Sequence, residues 1–343
     1  MNKSKLSEET SVVYYLAPDF DIPSWGNGVL YNHVDLLNNN GINASIIHHN
    51  SPFRYTWFES TTQIAYLDDP SFKIKENDYL VVPEVNIVDE VPQKIKCRKI
   101  IFIQNAFIIL TRLDKAYKFS ELGYERCIVT MPHMKGIVEN HYGVDAKVIP
   151  VAVAPYFFIN QKDLNKDRSK AILLFPKDVY RQLGQIDYDI LTKILNRRFY
   201  KDNKKLLGII SRQDKNKWHT LELKERTHLE VAKIMQESSF FVCVNTLEGF
   251  NVAVPEAMAA GCIPICYDAY GGIDYLEDNK NAYVFKNNHI YPLLEKLFYL
   301  MDNFEDLQDE LSRIRLEGYE TALRYTEREM EDSLREFYTE ILK

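Results

Sequence analysis

The chain has 343 residues, 46% of them hydrophobic and 27% charged, with a formal net charge of −7. That length suits two domains of ordinary size, each with a sizeable core, and the acidic balance argues against bulk nucleic-acid binding. No segment approaches the roughly 18 uninterrupted apolar residues of a spanning helix, and Met1 to Thr10 is polar where a signal peptide has its apolar core.

In chain order, short apolar runs alternate with helical patterns, which implies α/β architecture with parallel sheets. A strand is expected at Val12–Leu16, then a loop at Trp25-Gly26-Asn27-Gly28. A helix follows with Leu30, Val34 and Leu37 on one face, stopped by Asn40-Gly41. Further strands are expected at Ala44–Ile47, Tyr79–Val82, Ile100–Ile103, Cys127–Val129 and Lys147–Ile149. The aromatic stretch Ser51 to Ser71 has no clear period and takes no assignment.

After a low-regularity linker, Ala154 to Arg168, the pattern restarts. Strands are expected at Ala171–Phe175, Leu206–Ile210, Phe240–Val244 and Ile263–Tyr267, with helices between them. One of those helices has Leu229, Ala232 and Met235 on a single face. At the end of the chain, Thr326-x-x-Glu329 reads as a capping box, and Met330, Leu334, Phe337 and Ile341 form one apolar stripe. The division expected is a first domain over 1–155, a second over 156–325, and a terminal helix over 326–343.

The five cysteines (Cys97, Cys127, Cys243, Cys262 and Cys266) are odd in number and form no Cys-x2-Cys pair. They read as small buried thiols of a reducing compartment, so a cytoplasmic protein is expected. His48, His49 and His133 lack metal-ligand spacing, and no metal or other cofactor is expected. No Gly-x4-Gly-Lys-Ser/Thr occurs, which speaks against a P-loop nucleotidase. Lys94, Lys96, Arg98 and Lys99 precede a buried strand; they offer a contact with an anionic membrane surface if the acceptor is a lipid, while a solvated turn is the plainer reading.

The most informative segment is Glu248-Gly249-Phe250-Asn251-Val252-Ala253-Val254-Pro255-Glu256, followed by Ala257 to Pro264. An apolar strand runs into a loop carrying one carboxylate, and a short helix then opens with Pro255, the second carboxylate beside it and Gly261 as the stop. Free N–H groups at such a helix start favour an anionic ligand, so Gly249, Phe250, Asn251 and Val252 are donor-binding candidates. Either glutamate alone is better read as a helix-dipole partner or a solvated loop residue. The whole string, continuing to Tyr270-Gly271-Gly272, favours a ligand with hydroxyls at both ends and phosphate between.

That string resembles the Glu-x7-Glu signature of the GT4 retaining glycosyltransferases, which have the GT-B fold: two Rossmann-like doubly wound domains facing a central cleft, with the last helix crossing back to the first domain. The resemblance implies that Glu248 faces the donor sugar and Glu256 binds the nucleotide ribose. It implies a sugar passed from a nucleotide-diphosphate donor to a glycan, lipid-linked or protein acceptor with retention and without metal, in glycan or glycoconjugate biosynthesis. The second domain would hold the donor and the first the acceptor.

Relatives carry an Arg and a Lys one helical turn apart just past the first strand of the second domain. Here Lys177 and Arg181 are the candidates for the diphosphate, with Lys177-Asp178 a departure from the pattern. Gly26 and Gly28 resemble the glycine-rich turn after the first strand of GT-B enzymes, where backbone approaches sugar or phosphate, which implies that they are donor-binding candidates too. Gln104 and Asn105 fall where many relatives place a catalytically important His, and are candidates for the acceptor or sugar side. Binding beyond the carboxyl ends of strands adds Asp19, Glu84, Thr130, Ser211, Arg212 and Asp268 to the residues worth locating. Two other readings share this fold, a non-catalytic partner of another transferase and a nucleotide-sugar epimerase.

Overall fold

A computed structural model describes residues 11–21, 24–112, 118–175, 185–203, 217–224 and 226–343. The chain forms two compact units, Met1–Val151 with Arg328–Lys343, and Ala152–Glu327.

The first unit contains β1 (Val13–Leu16), α1 (Trp25–Asn39), β2 (Ala44–His48), β3 (Ile64–Tyr66), β4 (Tyr79–Pro83), α2 (Glu90–Lys94), β5 (Arg98–Ile103), α3 (Ala106–Arg112), β6 (Arg126–Val129), α4 (Pro132–Ile137) and β7 (Ala146–Val148). Its sheet is parallel throughout, in the order β3-β2-β1-β4-β5-β6-β7. The strands are near-continuous apolar runs because helices cover both faces of such a sheet. In α1, Leu30, Val34 and Leu37 are all buried, and Gly41 takes φ +75 just past the helix end, the left-handed stop that glycine adopts without a Cβ clash.

The second unit contains β8 (Ser169–Leu174), α5 (Gln185–Asn203), β9 (His219–Glu222), α6 (His228–Glu237), β10 (Ser238–Cys243), α7 (Ala253–Ala259), β11 (Ile263–Tyr267), β12 (Tyr283–Phe285), α8 (Ile290–Asp302) and α9 (Gln308–Ala322). Its parallel sheet has the order β12-β11-β10-β8-β9 among the described residues. Leu191 and Leu195 of α5 and Leu293, Leu297 and Leu300 of α8 pack on the sheet, each fully buried. Each such side chain contributes about 1.5–3 kcal/mol by leaving water.

The terminal α10 (Glu327–Ile341) belongs to the first unit. Met330, Leu334, Phe337 and Ile341 are buried as their spacing predicts, with Tyr338 between them. Charged neighbours fasten its flanks: Lys147 pairs with Glu336 at 2.6 Å, Arg126 with Glu340 at 3.4 Å, and Asn40 donates to Glu331 at 2.8 Å.

Three expectations change. The segment Ala154 to Arg168 is no loose linker but packs into the second unit: Phe157 is fully buried, the Ile159 N–H donates to the Ala259 carbonyl at 3.2 Å, and the unit boundary falls after Val151. Leu229 is 48% exposed, so only Ala232 and Met235 of its expected face are buried. Gly26 and Gly28 lie within the first turn of α1 and not in a loop. The strand expected at Leu206–Ile210 lies outside the described residues; among the described residues β9, which has no apolar alternation, pairs with β8.

Candidate functional site

In the second sheet the chain order reverses between β8 and β10: β9 lies beyond one, β11 and β12 beyond the other. In an open α/β sheet a ligand crevice opens at such a point, outside the carboxyl ends of the two strands. The loop that leaves β10 there carries Glu248.

That loop is held from several sides. The Glu248 N–H donates to the Ala269 carbonyl at 3.0 Å, and the Asn245 amide donates to Glu248 Oε1 at 2.9 Å. Gly271 lies so close beneath that a Cβ there would sit 2.7 Å from the Glu248 carbonyl oxygen. Tyr275 is buried and donates its hydroxyl to the Phe250 carbonyl at 3.1 Å. Phe250 packs its ring on Tyr275 and Tyr325. Asn251 (φ 60) faces Ala269 (φ 50) and Tyr270 (φ 60) in the two adjoining turns, three non-glycine residues in the left-handed region. Each costs on the order of 1 kcal/mol, and such strain collects where a loop must hold a functional shape.

Glu256 sits in the first turn of α7, which begins at Ala253, two residues before Pro255. With seven residues the helix has a modest dipole, so the arrangement rests on its carboxylates more than on its N-terminus. Glu248 is 8% exposed and Glu256 3%. Buried carboxylates need donors. For Glu256 one is His228, whose Nε2 lies 2.8 Å from Oε1; the Tyr156 hydroxyl sits on His228 Nδ1. Burial, with Glu256 adding to it, pushes the Tyr156 hydroxyl up to about 12. Neither residue was a candidate from sequence. The signal for His228 was its place directly after Thr227 in the capping box Thr227-x-x-Glu230, which the structure realises in full.

The other end of α7 is fixed by two buried guanidinium groups. Arg168 donates to the carbonyls of Gln236 at 2.6 Å and Ala260 at 3.0 Å, closing the ends of α6 and α7 together; Arg315 donates to the Gly261 carbonyl at 3.0 Å. Burial, with Arg168 nearby, lowers Arg315 to about 10. Glu256 is therefore carried on a helix anchored at its far end.

The structure thus brings Glu248, Gly249, Phe250, Asn251, Val252 and Glu256 together on one loop and helix start. Lys177 and Arg181 lie outside the described residues, as do Ser211 and Arg212. Asp268 pairs with Lys286 at 3.0 Å.

In the first unit, Gly26 and Gln104 meet: Gln104 Nε2 donates to the Gly26 carbonyl at 3.0 Å. A Cβ on Gly26 would approach Gln104 Oε1 to 3.2 Å, and one on Gly28 the Trp25 ring to 3.0 Å, so side-chain packing already accounts for both glycines. Asn105 caps α3, accepting from the Phe107 N–H at 3.0 Å, while its own N–H donates to Glu84 at 2.9 Å. Glu84 is buried, and that burial pushes its carboxyl up to about 7. Thr130 contacts the Gln104 carbonyl at 3.5 Å. Asp19 accepts from His48 Nδ1, and His48 Nε2 meets the Tyr31 hydroxyl at 2.7 Å. In the basic cluster, Lys94 pairs with Glu90, Arg98 with Glu125, and Lys99 is buried within β5. Among the described residues no helix is long and apolar enough to cross a membrane, and no group of three His, Cys, Asp or Glu stands close enough to hold a metal ion.

Residues 200–314 match the family model of glycosyl transferases group 1. An alpha-1,6-glucosyltransferase of Actinobacillus pleuropneumoniae is 27% identical over 253 residues, 72% of this chain and 70% of that protein. A poly(ribitol-phosphate) alpha-N-acetylglucosaminyltransferase of Staphylococcus aureus is 30% identical over 92 residues, 26% of this chain, and the match spans 18% of that protein's length. The pneumococcal O-GlcNAc transferase GtfA, solved with UDP and GlcNAc, superposes with a TM-score of 0.66 at 10% identity, over 97% of this chain and 99% of that one. The fold is that of GT-B glycosyltransferases.

Proposed function

We propose that this chain, which carries the group 1 glycosyltransferase segment on a GT-B fold, moves a sugar from a nucleotide-diphosphate donor to an acceptor hydroxyl with retention of configuration. One observation carries the reading: two buried carboxylates, Glu248 and Glu256, stand at the two ends of a single braced loop at the carboxyl end of β10, beside the sheet's switch point.

In this reading Glu256 receives the ribose hydroxyls, Glu248 the hydroxyls of the donor sugar, and the backbone of Gly249 to Val252 lies along the sugar and phosphates. Breaking the glycosyl phosphate bond leaves a diphosphate whose charge must be neutralised. Lys177 and Arg181 are proposed for that task, which leaves no step that calls for a metal. The acceptor hydroxyl then attacks the face from which the diphosphate departs, and the leaving phosphate takes its proton. No base from the protein is required. The acceptor, a glycan or a lipid- or protein-linked group, is assigned to the first unit, where Gln104 is held by its bond to the Gly26 carbonyl and the neighbouring Asn105 by its bond to Glu84.

The test is a thermal-shift series with UDP, GDP, ADP, CMP and dTDP on the wild type and on Glu256→Ala. A ligand that binds only the folded state raises Tm. Stabilisation of the wild type by one diphosphate, lost in the variant, supports the assignment and identifies the base. No shift at millimolar concentration would favour a non-catalytic partner of another transferase. Donor consumption without added acceptor would point to an epimerase.

A further inference from the structure

Glu256 places its carboxyl group where water hardly reaches. Its side chain is 4% exposed, yet the imidazole leading from it is 29% exposed and Tyr156, next in line, 42%. Burial falls away step by step along the chain Glu256, His228, Tyr156.

The direction of the hydrogen bonds follows from chemistry. A carboxylate only accepts, so His228 Nε2 carries the proton shared with Glu256 Oε1 at 2.8 Å. In the neutral ring Nδ1 is then an acceptor, and the Tyr156 hydroxyl donates to it. Tyr156 thereby fixes the tautomer that Glu256 needs.

Three separate segments hold this chain in place. His228 is the first residue of α6, whose start is locked by the reciprocal bonds of Thr227 and Glu230. Tyr156 stands in the turn Pro155–Phe157, which Gln236 pins by donating to the Tyr156 carbonyl at 2.9 Å and the Phe157 carbonyl at 3.3 Å. The His228 ring rests against Phe157, with centroids 4.7 Å apart. Glu256 itself rides on α7. A carboxylate aimed by a ring that is itself aimed from behind is the arrangement that a directional, two-point contact needs.

We propose that His228, backed by Tyr156, is a positioning residue that orients Glu256 toward the vicinal hydroxyls of a ribose, and so makes the site select nucleoside diphosphates over their 2′-deoxy counterparts. The inference rests on the donor-site reading above and adds to it the residue that sets ribose selectivity. With Glu256 held, the 2′-hydroxyl meets a fixed acceptor. A 2′-deoxy ligand leaves that buried oxygen without its donor, which is the larger penalty. With the imidazole removed, the carboxylate loses the donor that fixes its direction and the distinction fades.

The experiment is isothermal titration of UDP, GDP and ADP, and of their 2′-deoxy forms, against the wild type, Glu256→Ala, His228→Ala, His228→Gln and Tyr156→Phe. Ligand-free melting of each variant reports folding. The wild type is expected to prefer one ribonucleotide to its deoxy form by about tenfold or more. His228→Ala should weaken the ribonucleotide by about tenfold and barely move the deoxy form, collapsing the ratio toward one. His228→Gln, whose amide still donates to Glu256, should restore most of the ratio, and Tyr156→Phe should fall between. Equal weakening of both ligands, or no weakening, overturns the proposal, since a merely structural histidine cannot move the ratio. If His228→Ala fails to fold, the Gln and Phe variants decide the matter by the same ratio. Failure of the wild type to bind any diphosphate overturns the donor-site reading and this proposal together. Loss of binding in Glu256→Ala with an unchanged ratio in His228→Ala and Tyr156→Phe overturns this proposal alone.

Discussion

The hydroxyls of Tyr15 and Tyr338 share a hydrogen bond of 2.8 Å, although 323 positions separate them in the chain. Tyr15 lies on β1, in the middle of the first sheet, and Tyr338 on α10, so this bond ties the last helix to the centre of the unit it completes. The Tyr79 hydroxyl adds a second tie, donating to the Ile341 carbonyl at 2.6 Å. Tyr338→Phe is expected to cost about 1–2 kcal/mol, because it leaves Tyr15 with a weaker set of partners in a dry place. Tyr338→Ala adds a cavity and should cost about 3–5 kcal/mol. Urea unfolding of both variants checks the order and the gap.

His33 gives the first unit a dependence on pH. It is fully buried, its Nδ1 meets the Tyr15 hydroxyl at 3.2 Å, and its ring stacks on Phe102. Burial lowers its pKa from 6.5 to about 3. The unfolded chain therefore takes up a proton as pH falls below 6.5, while the folded chain refuses it until about pH 3, and stability drops across that window. Between pH 7 and pH 5 the loss from this residue is about 2 kcal/mol. His33→Gln should flatten that limb, and denaturant midpoints at the two pH values decide it; an unchanged slope would remove His33 from the account.

Glu84 acts in the opposite sense. Its folded pKa is raised from 4.5 to about 7 by burial, so its contribution is complete below 4.5 and is lost as pH rises through 7. Glu84→Gln keeps an oxygen for the Asn105 N–H and carries no charge at any pH. At pH 8 the variant should be more stable than the wild type by about 1–3 kcal/mol, and at pH 5 it should show no such gain. Melting temperatures at pH 5 and pH 8 test the difference.

Gly271→Ala probes the brace under the carboxylate loop. The added methyl would stand 2.7 Å from the Glu248 carbonyl oxygen, which is backbone and must move with its loop. Nucleoside diphosphate affinity should fall by about tenfold or more, a loss of at least about 1.4 kcal/mol, while unfolding of the variant stays cooperative. Calorimetric titration beside a thermal melt separates the two effects. Unaltered affinity would show that the loop can shift without consequence.

Strands β1, β2, β4, β5, β8, β10 and β11 were legible because each is a short, largely buried apolar run, a pattern set by burial on both faces, whereas β3 and β9 are half-exposed and gave no such signal. The stripe on α10 was legible for the same reason at helical spacing. Glu248 and Glu256 could be found because a long string surrounds them. His228 and Tyr156 could not, since their partnership exists only when α6, α7 and the turn at Pro155–Phe157 are packed together. The stretch from Ser51 to Ser71 failed for a related reason. Tyr55 packs on Tyr31 and His48, and Asp19 gathers the N–H groups of His49 and Asn50, so tertiary contacts and no local period define that segment. The glycines at 26 and 28 read as a loop, and they lie instead in the first turn of α1, where a Cβ would crowd Gln104 and Trp25.

The assignment of α10 to the first unit has a consequence for biogenesis. Ribosomes release the chain from its N-terminus, so β1 to β7 emerge long before the helix that covers Tyr15 and Tyr79. All of Ala152–Glu327, one compact unit with no later segment of the chain in it, is made in the interval. The second unit can therefore mature first, while the first waits with an apolar patch uncovered, a state open to chaperone capture or aggregation. A stalled chain in which residues 1–327 are followed by a linker long enough to clear the ribosomal exit tunnel should have a second unit that resists protease and a first that does not.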